Sequence, residues 1–201
     1  MTWRRIRPKV KGVPDPALDQ ERKEALEVLL EEAKQGVIDL WYDDESGFCL
    51  GPYIPYAWQE QGETLSIESE HSKRLNVCGF MNKRNALEAY TLEGPVDRDV
   101  GIPFFNAFGE TLQGPTVVVV DNASIHTSEA FQEAMAQWAK KGLLIFYLPA
   151  YSPELNLIEI LWRFMKYEWI GFWAYTNFSC LIQYVEDVIR GFGSKYKINF
   201  G

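Results

Sequence analysis

Thr116–Ser128 reads T-V-V-V-V-D-N-A-S-I-H-T-S. A run of four valines that stops on Asp121 has the pattern of a buried parallel strand, because such strands are covered on both faces and need no polar alternation. The strand would deliver the Asp121 carboxylate to the carboxyl edge of a sheet, where open α/β sheets hold their ligands and chemistry. Downstream, Leu148–Trp162 reads L-P-A-Y-S-P-E-L-N-L-I-E-I-L-W. It follows an apolar run, Leu143–Leu148, turns through Pro149 and Pro153, and enters an apolar helical pattern with Glu159 near its start. Two acids that follow strands are thereby placed to converge.

A third acid precedes them. Val37–Tyr42 is a short run rich in apolar and aromatic residues that ends in Asp43-Asp44-Glu45-Ser46, so another strand is expected to present a carboxylate at its end. Three carboxylates from separate elements suit a hard divalent cation such as Mg²⁺, which takes oxygen ligands and is commonly shared with a substrate phosphate. Two such ions about 3.5–4 Å apart can clamp the attacking and leaving oxygens of a phosphoryl transfer.

Each of these residues also has a plainer reading. Aspartates at strand ends often cap turns or helices. Strand alternation sends Asp43 and Glu45 to the face opposite Asp44, toward solvent or a supporting role. Glu154 is a second acid near Glu159, but its Pro-rich turn suits support of the helix start. His126, five residues past Asp121, can contact substrate or orient a ligand, or start a helix with Thr127 and Ser128. Asn122 can orient Asp121, touch a phosphate or form the turn. Arg163 and Lys166 follow Glu159 on the same helix, where either can reach a phosphate or stay in solvent. His71, Lys73 and Arg74 read as a surface turn with an option on DNA backbone, and Trp58 and Trp162 read as core.

D-E-S-G-F at Asp44–Phe48, D-N-A-S-I-H at Asp121–His126 and Y-S-P-E-L-N-L-I-E-I-L-W at Tyr151–Trp162 together resemble the catalytic domain of mariner-superfamily transposases, above all their bacterial insertion-sequence relatives. The resemblance spans Val37 to Phe200 and implies that Asp44, Asp121 and Glu159 form an acidic metal-binding and catalytic triad. The intervals, 76 residues between the first pair and 37 between the second, suit the family pattern. It also implies two Mg²⁺ or Mn²⁺ ions, DNA as partner, and DNA cleavage followed by strand transfer. One departure is Leu157, where the family usually has proline, a residue suited to a first helical turn. A ribonuclease-H-like nuclease without strand joining, or a catalytically silent transposase remnant, are the alternatives.

Composition sets bounds on this reading. At 201 residues, with 47% hydrophobic and 14% aromatic content, the chain can bury a full core. Cys49, Cys78 and Cys180 are odd in number and far apart, which fits a reducing cytoplasm better than a disulfide framework. No Cys/His cluster argues for zinc, and no apolar run approaches the roughly 20 residues of a membrane span. The net charge of −8 is unexpected for a protein that holds a polyanion. Its distribution softens this: Arg4, Arg5, Arg7, Lys9 and Lys11 give the first twelve residues +5, leaving −13 on the rest. That arm is a candidate DNA-backbone contact or a solvated tail.

The expected organisation is a basic arm and linker helix over residues 1–36, then a catalytic domain over 37–201. A helix is expected at Ala17–Gln35, ended by Gly36. Strands follow at Val37–Tyr42, Phe48–Leu50, Ala57–Gln59, Leu65–Ile67, Leu75–Met81 and Ala86–Leu92, with a turn at Gly62-Glu63. A helix within Val96–Leu112 precedes the Val117–Val120 strand, a helix at Ser128–Lys141, a strand at Leu143–Tyr147, and helices at Leu155–Trp169 and Asn177–Gly191. A meander, a helix, then strand-helix-strand-helix is the order of an α/β, ribonuclease-H-like fold with a mixed central sheet flanked by helices, as the resemblance also implies. Family members usually carry helix-turn-helix modules ahead of this domain, whereas about 36 residues precede the first expected strand. End recognition is therefore expected from a separately encoded helix-turn-helix subunit, or the chain is a decayed product; a homodimer is a further candidate assembly.

Overall fold

The computed structural model describes residues 16–51, 60–62, 73–94, 101–123, 126–149 and 152–200. The basic arm, Trp58, His71 and the strands expected at Ala57–Gln59 and Leu65–Ile67 lie outside these residues. A five-stranded mixed sheet has the order β3-β2-β1-β4-β5. Its strands are β1 (Asp39–Cys49), β2 (Arg74–Asn82), β3 (Leu87–Glu93), β4 (Thr116–Val120) and β5 (Leu143–Tyr147). The first three form an antiparallel meander, and β4 and β5 extend it in parallel from β1. The helices are α1 (Pro16–Lys34), α2 (Gly101–Gly109), α3 (Glu129–Lys140), α4 (Ile158–Phe164) and α5 (Phe178–Gly191).

The valine run explains why the sheet is a middle layer. All five β4 residues are buried. Val118 and Val120 pack with Phe105 and Phe108 of α2 and with Phe131 and Trp138 of α3. Val117 and Val119 face the other way, into a cluster with Leu26 of α1, Ile158, Leu161 and Trp162 of α4, and Leu181, Val185 and Val188 of α5. Burying each such side chain is worth about 1.5–3 kcal/mol, so a strand of valines is stable only between two helical layers. Local signals set the ends of the helices. The Ser128 hydroxyl accepts from Phe131 N–H at the start of α3, and the Asn177 side chain accepts from Cys180 N–H at the start of α5. Gly36, with φ +75°, follows α1 where a left-handed residue closes a helix.

Two expectations need correction. Instead of one strand ending at Tyr42 and another at Phe48–Leu50, a single eleven-residue strand runs through the acidic stretch. The cause is that β1 has neighbours of unequal length. It pairs with β4 only from Asp39 to Tyr42, but with β2 as far as Cys49. Asp44 therefore lies past the end of the parallel partner while an antiparallel ladder still holds its backbone. The helix expected over Leu155–Trp169 is also broken. A 3₁₀ turn covers Pro153–Leu155, Asn156 is extended (φ −88°, ψ 102°), α4 follows, and a π turn occupies Met165–Trp169. No helix among the described residues is long and apolar enough to cross a membrane.

Candidate active site

The parallel register pairs Leu40 with Val117 and Tyr42 with Val119. Carried two residues further, it sets Asp121, the first residue after β4, opposite Asp44. Because side chains alternate along a strand, Asp44 shares its face with Leu40 and Tyr42, which is the face that α4 covers. Glu159 lies in the first turn of α4, so the three acids come from two adjacent strands and the helix packed over them. Glu159 and Asp121 act on Asp44 electrostatically, and Asp121 acts on Glu159. Burial and then the Glu159 charge push the Asp44 carboxyl from 3.8 up to about 8, with Asp121 contributing. Glu159 is likewise raised, first by burial and further by Asp121, against the lowering effect of Lys166.

Trp162 does more than fill the core. Its indole Nε1–H donates to Asp44 Oδ2 at 3.0 Å. Space for the ring comes from Gly79, the β2 residue paired with Asp44. A Cβ at Gly79 would lie 2.9 Å from Trp162 Cη2 and 3.1 Å from Ile158 Cδ1. The sequence signal for this was available, since a lone glycine inside a strand often marks close approach by another group. Lys166 takes the cationic position beside the acids: burial lowers its pKa, and the Glu159 and Asp44 charges act in the opposite direction. Its ammonium lies 5.5 Å from the centre of the Phe48 ring. Arg163 is exposed and lies over the Phe164 ring instead. Glu154 is exposed in the 3₁₀ turn.

The opposite face of β1 carries a second arrangement. Asp43 is 2% exposed, Glu45 is exposed, and both point away from Asp44, as alternation requires. His126 is buried between the layers, its Nε2 3.3 Å from Asp43 Oδ2 and its Nδ1 3.1 Å from Asp121 Oδ1. Phe105 and Phe131 pack around the ring. Burial pulls the His126 pKa down, but hydrogen bonds and charge from Asp121 and Asp43 outweigh it and hold the imidazole at about 10. In return, the His126 hydrogen bond draws the Asp121 carboxyl below its ordinary value. Asn122 touches neither acid among the described residues. Its amide donates to Leu148 O at 2.6 Å and ties the end of β4 to the end of β5. Asn156 Nδ2 donates to Asp43 O at 2.9 Å, linking the α4 turn to β1. Sequence reasoning missed Asp43 as a partner of His126 and Trp162 as a partner of Asp44.

The donor chemistry of the three acids suits a hard divalent metal. Asp44, Asp121 and Glu159 offer only carboxylate oxygens, the donors that suit Mg²⁺ and Mn²⁺. The raised Asp44 and Glu159 pKa values reflect burial and like-charge repulsion that a cation would relieve. Among the described residues, no group of three His, Cys, Asp or Glu side chains is drawn together closely enough to hold a metal ion. The three acids are neighbours in one electrostatic field, and Asp121 Oδ1 is engaged by Ala123 N–H and His126.

Known proteins resemble this chain in sequence and in fold. The family model for the DDE superfamily endonuclease matches residues 39–182. An uncharacterized 39 kDa protein of insertion element IS630 from Shigella sonnei is 24% identical over 168 residues, covering 81% of this chain and 47% of that protein. The chain thus spans about half the length of this curated relative. The Mos1 transposase paired-end complex with left transposon end aligns at a TM-score of 0.61 and 14% identity, over 94% of this chain and 59% of that one. The catalytic domain of Mos1 mariner transposase aligns at 0.57 and 14%, over 90% of this chain and 85% of that one. At such identity these structures establish the shared ribonuclease-H-like fold. The family match covers well over half of the sequence, from the first residue of β1 into α5, and the chain belongs to the DDE superfamily of endonucleases.

Proposed function

We propose that this chain is the catalytic domain of a transposase, which cuts DNA at the ends of a mobile element and joins the freed strand to target DNA. The observation that supports the reading is that Asp44, Asp121 and Glu159 come from two adjacent strands and the helix packed over them, with Glu159 and Asp121 both raising the Asp44 pKa and Asp121 raising that of Glu159. Asp44, Asp121 and Glu159 would hold two Mg²⁺ or Mn²⁺ ions. When bound, such ions supply an activated water and neutralise the leaving oxygen.

The chain's own residues orient the reactants. Trp162 fixes one Asp44 oxygen by donating to it, and His126 fixes one Asp121 oxygen, so each carboxylate keeps a second oxygen for a ligand. Lys166, held near Glu159 and Asp44, is placed to meet a non-bridging phosphate oxygen. Cleavage breaks the bond between phosphorus and a 3′ oxygen as water adds to phosphorus. In joining, the freed 3′ hydroxyl attacks a target phosphorus, and the target's own 3′ oxygen leaves with a proton. DNA is the partner this chemistry requires. Recognition of the element's ends is assigned to helix-turn-helix modules supplied in front of the domain or by a second subunit.

The test is Mg²⁺-dependent nicking and strand transfer on duplexes that carry the element's ends. Asp121→Asn removes one ligand charge at nearly constant volume, and should abolish both activities while leaving circular dichroism and the melting transition intact. Cleavage that survives this change, or survives EDTA, rejects the metal mechanism. Cleavage without joining by the unaltered protein identifies a nuclease instead.

A further inference from the structure

We infer that the cleft between α4, the β2–β3 turn and the C-terminal segment is a docking surface for the phosphate backbone of duplex DNA, separate from the three acids. The cleft has a volume of about 540 Å³, and its charged lining residues are Lys83, Arg163 and Lys197, with no acid on its walls. Such a concentration of one sign is unexpected in a chain with 28 acidic and 20 basic residues. All three cations are exposed. Elsewhere, Lys34, Arg84, Lys141 and Arg190 are paired with neighbouring carboxylates, whereas Lys83, Arg163 and Lys197 have none within ion-pair distance among the described residues.

The cations also have fixed supports. Arg163 Cζ lies 5.8 Å from the centre of the Phe164 ring, which steadies the guanidinium plane for two-point contact with a phosphate. Lys197 precedes Ile198, whose backbone is clamped by Asn85: the amide Nδ2 donates to Ile198 O at 3.0 Å, and Ile198 N–H donates to Asn85 Oδ1 at 2.7 Å. Asn85 stands in the same turn as Lys83, so two of the cations are held to one another through that pair. Arg163 follows Glu159 by one helical turn, about 6 Å along the axis of α4. A duplex seated in the cleft therefore lies beside the helix that carries the third acid. Three exposed cations on separate elements match the spaced charges of a nucleic-acid backbone. This surface rests on the DNA-processing reading above and adds to it a second contact region.

The experiment measures binding of a mixed-sequence duplex, in EDTA so that no cleavage occurs, as a function of salt. The variant is Lys83→Gln, Arg163→Gln and Lys197→Gln combined. The control is Lys23→Gln, Lys140→Gln and Lys141→Gln, which removes the same charge elsewhere. Each phosphate that is no longer neutralised should lower the slope of log affinity against log salt by about 0.9, so the cleft variant should drop by about 2 to 3 and the control by less than about 1. Arg163→Lys, which keeps the charge, should retain the full slope. Equal slopes for variant and control, with DNA still bound, overturn the cleft assignment and leave the functional reading standing. No DNA binding by the unaltered protein overturns both. If the cleft variant loses affinity for polyglutamate but keeps its DNA slope, the cleft takes an acidic protein and the assignment to DNA is rejected.

Discussion

Asp43 and Asp121 are joined through one imidazole, with His126 Nε2 3.3 Å from Asp43 Oδ2 and Nδ1 3.1 Å from Asp121 Oδ1. A ring that meets a carboxylate at each nitrogen carries a proton on both, which is the state its raised pKa describes. Asp43 thereby fixes the charge and direction of the group that orients Asp121. Asp43→Asn keeps the shape but removes the charge, and should lower Mg²⁺-dependent nicking by about 10–100-fold, as loss of a partner behind a metal ligand does. Circular dichroism should be unchanged. His126→Gln should fall in the same range, and combining the two should cost little more than either alone. Additive losses would show that the two residues act separately.

On the other face of β1, Gly79 leaves room for Trp162 to reach Asp44. Gly79→Ala would put a methyl group 2.9 Å from the indole, and a packed core resists such insertion at about 1–3 kcal/mol. The melting transition should drop accordingly. Trp162→Phe keeps most of the ring and removes the N–H. It should lower nicking more than stability, since the cost falls on the orientation of Asp44. Equal activity in Trp162→Phe and the parent would reject the hydrogen bond as a working contact.

Asp44 gives the metal-free protein a defined pH dependence. Its carboxyl is raised from 3.8 to about 8, first by burial and then by Glu159, so the folded state holds a proton there that the unfolded state has lost. Between about pH 4 and 8 this group therefore destabilises the fold increasingly as pH rises. His126, raised from 6.5 to about 10, acts in the same direction, its contribution full below about 6.5 and lost by about 10. Calorimetry in EDTA should show the melting temperature falling from pH 6 to pH 8, and Asp44→Asn should flatten part of that fall. Added Mg²⁺ should raise the melting temperature more at pH 8 than at pH 6, because protons compete with the metal for the same carboxylate. An equal Mg²⁺ effect at both values would mean that Asp44 is not a ligand.

The parts of the fold that could be read from sequence are those where one local pattern had one physical cause. Val117–Val120 is buried on both faces, and its uninterrupted valines state that directly. Ser128 and Asn177 mark helix starts because their side chains cap them. The reading of β1 failed because acids inside a strand look like its end. Only the pairing shows that β2 continues past the last residue of β4, and pairing is not a local property. For the same reason alternation placed Asp43 opposite Asp44, but nothing near it in sequence indicates that His126, 83 positions later, closes over it. The π turn at Met165–Trp169 has no sequence signature in this chain that we can identify.

Leu157 allows the departure from the family pattern to be tested as a matter of backbone geometry. It stands just before α4 with φ −63° and ψ −25°, inside the narrow range that a proline ring imposes. Asn156, with φ −88° and ψ 102°, already has the extended conformation required of a residue that precedes proline. Among the described residues, no backbone carbonyl accepts from the Leu157 N–H, so proline would remove no backbone hydrogen bond. The gain from restricting the unfolded chain is about 0.4–1 kcal/mol, set against the partial burial of the leucine side chain over the core. Leu157→Pro should therefore fold, with a melting temperature equal to or slightly above the parent's. Nicking should be equal or higher, since the turn that presents Glu159 becomes stiffer. A clear loss of stability would show that the leucine side chain, and not the turn it occupies, holds the start of α4 in place.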